Sequence, residues 1–384
     1  MIIKDMPVTN VVITFGPTDE GIDDVMKITN MSTGRLGVEL AEALVAKYGN
    51  SIKLWMLGNK TAYRINSSAM RRLEARGVIY EVIGGLKNGE YVSKETADLL
   101  LVLKKVMSEN QIDYVFHPAA VGDYTGRFAT NNKLLAEEIY ELYLSMGTEF
   151  SEAAIAELLV SPNKVFNADT KMSSDEPNMI VGLELTPKVI ASINSFAEQA
   201  GYKTRLLSWK LLSDVPPEEL YNVALKHGQR NHSWRVIAND LSRIGDNAHW
   251  AMIIDVADGS TYEVNTKGEI ADYLTAITLP APLAEMQARC GEIHFTFTED
   301  VSFKYLEDDQ GQVIGVLGVE GDKVMLHLLK QFQGQGLGRE AVQLCLDQGW
   351  SLYADANWGN KSAFEKYGLS VKGISEQHGC EIMA

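Results

Sequence analysis

A chain of 384 residues is longer than one ordinary domain, and 46% hydrophobic with 22% charged residues is the composition of a folded globular protein. A formal net charge of −16 excludes a general nucleic-acid binder, which needs surplus Lys and Arg, but leaves room for a nucleotide, which needs only a few local donors. No apolar run approaches the ~18 residues of a membrane span. The start, Met1-Ile2-Ile3-Lys4-Asp5, lacks the regions of a signal peptide, and Cys290, Cys345 and Cys380 form no close metal-type pair. A cytoplasmic protein with no membrane partner and no disulfide scaffold is expected.

In chain order, residues 11–15 (Val-Val-Ile-Thr-Phe) read as a buried strand, followed by a Gly-Pro-Thr loop. Ser32 or Thr33 then caps a helix whose Leu36, Leu40, Ala41, Leu44 and Val45 recur at helical spacing. Further strands begin at Ile52, Val78 and Tyr114, with helices near 67–76 and 93–111. This alternation predicts an α/β fold: a Rossmann-like, doubly wound, mostly parallel sheet with helices on both faces. Residues 130–170 read as an inserted helical stretch rich in Leu, Tyr and Glu. Strands at 179–185, 204–209 and 235–239 follow, with a helix from Pro216 to His227 and a hairpin of 250–256 with 261–264. Leu279-Pro280-Ala281-Pro282 reads as a linker, because closely spaced prolines stiffen a chain. Beyond it, short strands at 293–298, 301–306, 312–319 and 323–329 predict an antiparallel meander, then a glycine loop and a helix. The expected domains are 1–280 and a small α+β domain over 287–384.

Open parallel sheets bind ligands at the carboxyl ends of their strands, which singles out the loops after the first and fifth strands. The first loop carries Gly16 and leads to Ser32-Thr33-Gly34 at a helix start, where backbone N–H groups hold an anion or simply cap the helix. The Gly-x-Gly-x-x-Gly fingerprint of dinucleotide binding is absent.

Ile28-Thr29-Asn30-x-Ser32-Thr33-Gly34-x-Leu36-Gly37 resembles the signature of phosphopantothenate–cysteine ligases. So do His117-Pro118-Ala119-Ala120-Val121-Gly122-Asp123-Tyr124, Lys171-Met172-Ser173-Ser174, Leu183-Glu184-Leu185-Thr186-Pro187-Lys188, Ser208-Trp209-Lys210-Leu211 and Val236-Ile237-Ala238-Asn239-Asp240, in the family's order. The resemblance implies that a carboxylate attacks the α-phosphate of CTP or ATP, with Mg2+, giving an acyl-nucleotide that the amine of cysteine then opens. Both steps build negative charge on oxygen, which fixed donors stabilise. By the same resemblance Lys171 clamps phosphate charge and Asn30 contacts the acyl-nucleotide carbonyl. Gly16, Ser32, Gly34, His117, Pro118, Ala119, Asp123, Pro187 and Lys188 line the nucleotide pocket. Trp209 lies near the base, and Lys226 or Arg230 reaches the triphosphate or stays on an exposed helix face. The implied partners are phosphopantothenate and cysteine as substrates, a separate flavin-dependent decarboxylase, and a second copy in a homodimer.

In the tail, Gln333-Gly334-Gln335-Gly336-Leu337-Gly338 before a helix resembles the diphosphate loop of the GNAT superfamily of acyl-CoA N-acyltransferases. Asn357-x-x-Asn360-x-x-x-Phe364-Glu365-Lys366-Tyr367-Gly368-Leu369 stands at that family's second characteristic position. The resemblance implies acetyl-CoA or coenzyme A bound by Gln333 to Gly338 and Asn357. Phe364 occupies the place of a proton-donating tyrosine and cannot donate, so either Tyr367 or water serves, or the module only binds coenzyme A. Two rival readings are a Rossmann-type NAD-dependent oxidoreductase and a catalytically inactive, coenzyme A-sensing regulator.

Overall fold

Apolar runs become the inner strands of one sheet, and the chain's two ends meet in another. The computed structural model describes every residue except 24, 88–89, 93–94, 168–170, 174, 246–247, 279–282, 284, 287–300, 355–360, 377 and 379, with the backbone alone at 50, 85–87 and 90–92. The chain begins with β1 (Ile2–Asp5), β2 (Thr9–Phe15), β3 (Asp19–Gly21), β4 (Lys27–Thr29), α1 (Arg35–Tyr48), β5 (Ile52–Gly58), α2 (Lys60–Ile65) and α3 (Ser67–Ala75). It continues through β6 (Ile79–Val82), β7 (Gly85–Lys87), β8 (Glu90–Val92), α4 (Glu95–Glu109), β9 (Tyr114–His117), β10 (Tyr124–Asn131), α5 (Asn132–Met146) and α6 (Glu152–Val160). Next come β11 (Met179–Leu185), α7 (Val189–Gln199), β12 (Arg205–Leu212), α8 (Pro217–Arg230), β13 (Arg235–Ile244), β14 (His249–Asp255), β15 (Thr261–Val264) and α9 (Lys267–Thr278). The tail holds β16 (Val301–Glu307), β17 (Val313–Glu320), β18 (Lys323–Leu328), α10 (Leu337–Asp347), β19 (Ser351–Ala354), α11 (Lys361–Lys366), β20 (Val371–Ser375) and β21 (Cys380–Met383).

These elements form two compact units. The larger, Asn10–Glu39 with Leu54–Lys267, contains an eight-stranded sheet in the order β15-β14-β13-β12-β9-β2-β5-β6. β2, β9, β12 and β13 run parallel, as do β5 and β6, whereas β14 and β15 are antiparallel additions at one edge. The chain leaves β2 toward β5 and β6, then returns to β9 and continues the other way, so the order reverses between β2 and β9. That is the place where doubly wound sheets open a ligand crevice. Val11, Val12 and Ile13 are fully buried, as strands covered on both faces require. Leu99, Leu103, Val106 and Met107 of α4 pack with Val189, Ile193 and Ala197 of α7 over Val12, Val115 and Leu206.

The 179–185 alternation does form a strand, but β11 pairs with β10 in an arm outside the main sheet. The inserted stretch becomes α5 and α6, and no α6 side chain is buried although the helix is mostly Ala, Ile, Leu and Val. Its anchor is Glu138, whose carboxylate accepts from the Asn163 and Lys164 N–H groups at 2.7 and 3.0 Å.

The smaller unit comprises Met1–Thr9, Leu40–Lys53 and Gly268–Ala384. Its seven-stranded sheet has the order β1-β16-β17-β18-β19-β21-β20. The expected meander is present in β16, β17 and β18. The first strand, β1, pairs antiparallel with β16 from Ile2↔Glu307 to Asp5↔Lys304, so the amino-terminal residues lie with the tail sheet rather than with the segment that follows them in sequence. Ion pairs Lys4–Glu307 and Asp5–Lys304 flank that pairing. Cys345 is a buried free thiol, and Cys380 is buried as well. The Pro280 linker, the 293–298 strand, Cys290 and Asn357 lie outside the described residues. Among the described residues no helix is long and apolar enough to cross a membrane.

Candidate functional site

The reversal between β2 and β9 brings the two glycine- and alanine-rich loops together. Gly16 leaves β2 at φ +79°, and a Cβ there would stand 2.4 Å from Ala62 Cβ of α2. Gly34, at φ +73°, packs against Phe15 and the Gly16 backbone, so a Cβ would meet Gly16 N at 3.0 Å. Both glycines are therefore demanded by close approach as well as by backbone conformation. They set the start of α1 beside the β2 turn, with Ser32 and Thr33 hydroxyls accepting long 3.4 Å bonds from the Gly34 and Arg35 N–H groups. A helix N-terminus exposed next to a close-packed turn is a fitting place for an anion.

Backbone and side-chain bonds stitch this turn to the loop after β9. Pro17 forms a bridge with Ala120, the Ala120 N–H donates to Gly16 O at 2.9 Å, and Gly122 N–H donates to Thr18 Oγ1 at 2.9 Å. Asn30 Nδ2 donates to Ala120 O at 3.0 Å and Val121 O at 3.2 Å. Both amide hydrogens are thereby engaged, so Asn30 contributes to an incoming carbonyl only by exchanging one of these acceptors. Pro118 and Ala119 are half-buried at the crevice. His117 lies below it, with Nδ1 2.8 Å from Thr14 Oγ1. Burial, assisted by the nearby His227, pushes its pKa down to about 4, so the ring is neutral near pH 7.

On the rim, exposed Lys188 pairs with exposed Asp123 at 2.5 Å. Thr186 fixes this corner by donating from its hydroxyl to Gly122 O and from its N–H to Asp123 O. Pro187 is exposed beside them. Trp209 lies in β12, half-buried, and its Nε1 is buried with no hydrogen-bond partner among the described residues. His227 Nε2 on α8 shares that condition. An unpaired buried donor or acceptor is costly, and a polar ligand in the crevice would relieve it. Lys226 is exposed on α8.

Sequence reasoning left three groups without a role. Thr18 joins the two loops through its hydroxyl. Glu95, opening α4, accepts from the Asp19 N–H at 2.6 Å and from Asn59 Nδ2 at 3.2 Å, and burial raises its pKa to about 7. Asp23 lies outside the residues the sequence singled out, and its carboxylate accepts from Met172 N–H, beside Lys171, at 3.0 Å. Lys171 itself is exposed.

In the smaller unit, Gln333 to Gly336 are exposed and Gly334 and Gly336 have φ +78° and +84°. Gly336 leads into α10 (from Leu337) without a side-chain cap, which leaves first-turn N–H groups to other acceptors. Gln333 and Gln335 turn their amides back onto Leu328 O and Gln331 O. A Cβ on Gly338 would meet the Tyr367 hydroxyl at 3.0 Å, so this hydroxyl sits at the helix start. Phe364 is 4% exposed and belongs to the core.

A family model described as DNA/pantothenate metabolism flavoprotein C-terminal domain matches residues 6–74. The coenzyme A biosynthesis bifunctional protein CoaBC of Thermococcus kodakarensis is 25% identical over 272 residues, covering 71% of this chain and 51% of that protein. The chain thus spans about half the length of the curated relative it matches. Among solved structures, the DNA/pantothenate metabolism flavoprotein from Streptococcus pneumoniae is similar at 24% identity and TM-score 0.49, over 73% of this chain and 100% of that one. Spermidine/spermine N-acetyltransferase SpeG from Vibrio cholerae is similar over 26% of this chain and 69% of its own, with 15% identity and TM-score 0.18.

Proposed function

We propose that the larger unit ligates phosphopantothenate to cysteine through an acyl-nucleotide, a step of coenzyme A biosynthesis. The observation that carries this reading is the Asn30 amide bound to Ala120 O and Val121 O, which draws two signature segments into the crevice between β2 and β9. In this reading the triphosphate of CTP or ATP lies across the Gly16 turn and the start of α1, with Lys171 on its phosphate charge. Trp209 and neutral His117 border the pocket, and Asp123 and Lys188 exchange their mutual pairing for substrate. Asn30 gives up a carbonyl partner to hold the acyl oxygen as charge develops there. Among the described residues no group of three His, Cys, Asp or Glu side chains is arranged to hold a metal. In this reading Mg2+ accompanies the nucleotide's phosphates, its usual company.

The test is incubation with phosphopantothenate, cysteine, Mg2+ and either CTP or ATP while pyrophosphate is followed. Cysteine-dependent product with one nucleotide supports the reading and names the nucleotide. No such product with either one sinks it. A homodimer belongs to the same proposal and is supported by the exposed Tyr124, Leu183 and Leu185 on the β10–β11 arm. Light scattering on the purified chain decides it.

A second reading concerns the smaller unit. Among the described residues β18 and β19 pair in parallel at Lys323↔Ser351 and Val324↔Leu352, while β18 continues to Leu328. The exposed Gly334 and Gly336, at positive φ before an α10 start without a side-chain cap, support binding of coenzyme A or acetyl-CoA, with its diphosphate on the α10 N–H groups. Calorimetry with acetyl-CoA tests it, and no heat of binding removes it.

A further inference from the structure

The two groups given chemical roles, Asn30 and Lys171, sit on separate segments that one buried carboxylate joins. Asp23 is 5% exposed. Its Oδ1 accepts from the Val25 and Met26 N–H groups at 2.7 and 2.6 Å, closing the turn between β3 and β4. Its Oδ2 accepts from Met172 N–H at 3.0 Å, across 149 residues of sequence. Met172 is itself buried, whereas Lys171 is exposed. Burial alone would raise the Asp23 pKa, but the three N–H donors, with the charge of Lys171, hold it below the usual carboxylate range. Asp23 therefore carries a full charge near neutral pH, and its bonds are of the stronger, charge-assisted kind.

The far end of the same hairpin is equally fixed. β3 and β4 pair from Asp19↔Thr29 to Gly21↔Lys27, the Thr29 hydroxyl donates to Thr18 O, and Asn30 follows at once with its bonds to Ala120 and Val121. On the opposite side, Gly126 of β10 lies so close that a Cβ would stand 2.8 Å from Gly21 O. The hairpin thus carries Asp23 in its turn and leads at its other end into Asn30.

We propose that Asp23 is a positioning residue that seats the Lys171 segment on the β3–β4 hairpin, so that the lysine of the first half-reaction and the asparagine of the second are held together. This rests on the ligase reading for its kinetic consequences, but the seat itself is independent of it. Backbone N–H groups are common to every residue, whereas a buried carboxylate that accepts from both segments is specific.

Asp23→Asn separates the seat from the turn. The Asn side chain keeps an oxygen for the Val25 and Met26 N–H groups and turns an NH2 toward Met172 N–H, donor against donor. Trypsin cleavage after Lys171, read by mass spectrometry as the fragment beginning at Met172, should become about tenfold faster, the factor that corresponds to ~1.4 kcal/mol, within reach of one charge-assisted bond. In the ligase assay the KM for the nucleotide should rise by a similar factor while the KM for cysteine stays as in the wild type. Asp23→Ala, which loses the turn as well, should raise both. Wild-type cleavage and nucleotide KM in Asp23→Asn would overturn the proposal. So would a parallel rise in both KM values with a fall in melting temperature, the mark of a merely structural role. If the wild type turns over neither nucleotide, the ligase reading fails and the cleavage rates alone decide the seat.

Discussion

The hydroxyl of Thr14 lies 2.8 Å from Nδ1 of His117, and both side chains are buried beneath the crevice. Thr14 Oγ1 also lies 3.4 Å from Ala119 N–H, so one β2 hydroxyl supports the first residues of the loop after β9. Thr14→Val keeps the shape and removes the hydroxyl, which leaves a buried ring nitrogen without its partner. A loss of about 1–3 kcal/mol is expected from urea unfolding. Wild-type stability of the Val variant would show that this bond carries no weight.

The same histidine sets a pH dependence. Its folded pKa, about 4, lies below the ordinary 6.5, so the unfolded chain takes up a proton that the folded chain refuses. Stability contributed by the neutral ring is complete above pH 6.5 and is lost as pH falls toward 4. His249, also near 4 through burial and the charge of Lys267, acts in the same direction. His117→Gln should therefore recover about 2 kcal/mol of the loss between pH 7.5 and pH 5, measured as the change in unfolding free energy relative to wild type. An unchanged pH slope would contradict a neutral His117.

Glu95 works with the opposite sign. Its pKa is raised to about 7 by burial first, with the Asn59 and Asp19 donors opposing and the Asp19 charge adding. The folded chain keeps a proton that the unfolded chain gives up above pH 4.5, so the stabilising contribution is complete below 4.5 and is lost as pH rises through 7. Glu95→Gln retains an oxygen for the Asp19 N–H and does not ionise. It should be more stable than wild type by about 1–2 kcal/mol at pH 8 and show little difference at pH 4.5. Melting curves at the two pH values decide this, and a gain at pH 4.5 alone would refute it.

Much of the larger sheet was legible because strands buried on both faces are written as continuous apolar runs, as in Val11-Val12-Ile13. β1 was not, since Ile-Ile-Lys-Asp has no local sign that it pairs with residues near 305. The alternation of 179–185 announced a strand but could not say that its neighbour is β10, because period 2 reports faces and not partners. The site shows the same division. Gly16 and Gly34 were visible because only glycine tolerates their φ values and contacts. Asp23 was not legible because its distant partner is a backbone N–H, a group that leaves no mark on the sequence.

Gly16→Ala tests how strictly the crevice depends on close approach. The new methyl would lie 2.4 Å from Ala62 Cβ, and φ +79° is unfavourable for any residue with a Cβ. The two costs together should lower stability by about 2–4 kcal/mol. Ala62→Gly in the same chain removes the clash and leaves the backbone cost, so the double variant should regain roughly half of the loss. On the proposed ligase reading, nucleotide affinity should not follow stability in that double variant. The Gly16 carbonyl accepts from Ala120 N–H, and a turn strained by alanine shifts the loop that carries Asn30's acceptors. Nucleotide binding should therefore stay weakened after the melting temperature has recovered. If binding recovered in step with stability, Gly16 would matter only for packing, and the crevice would tolerate a displaced turn.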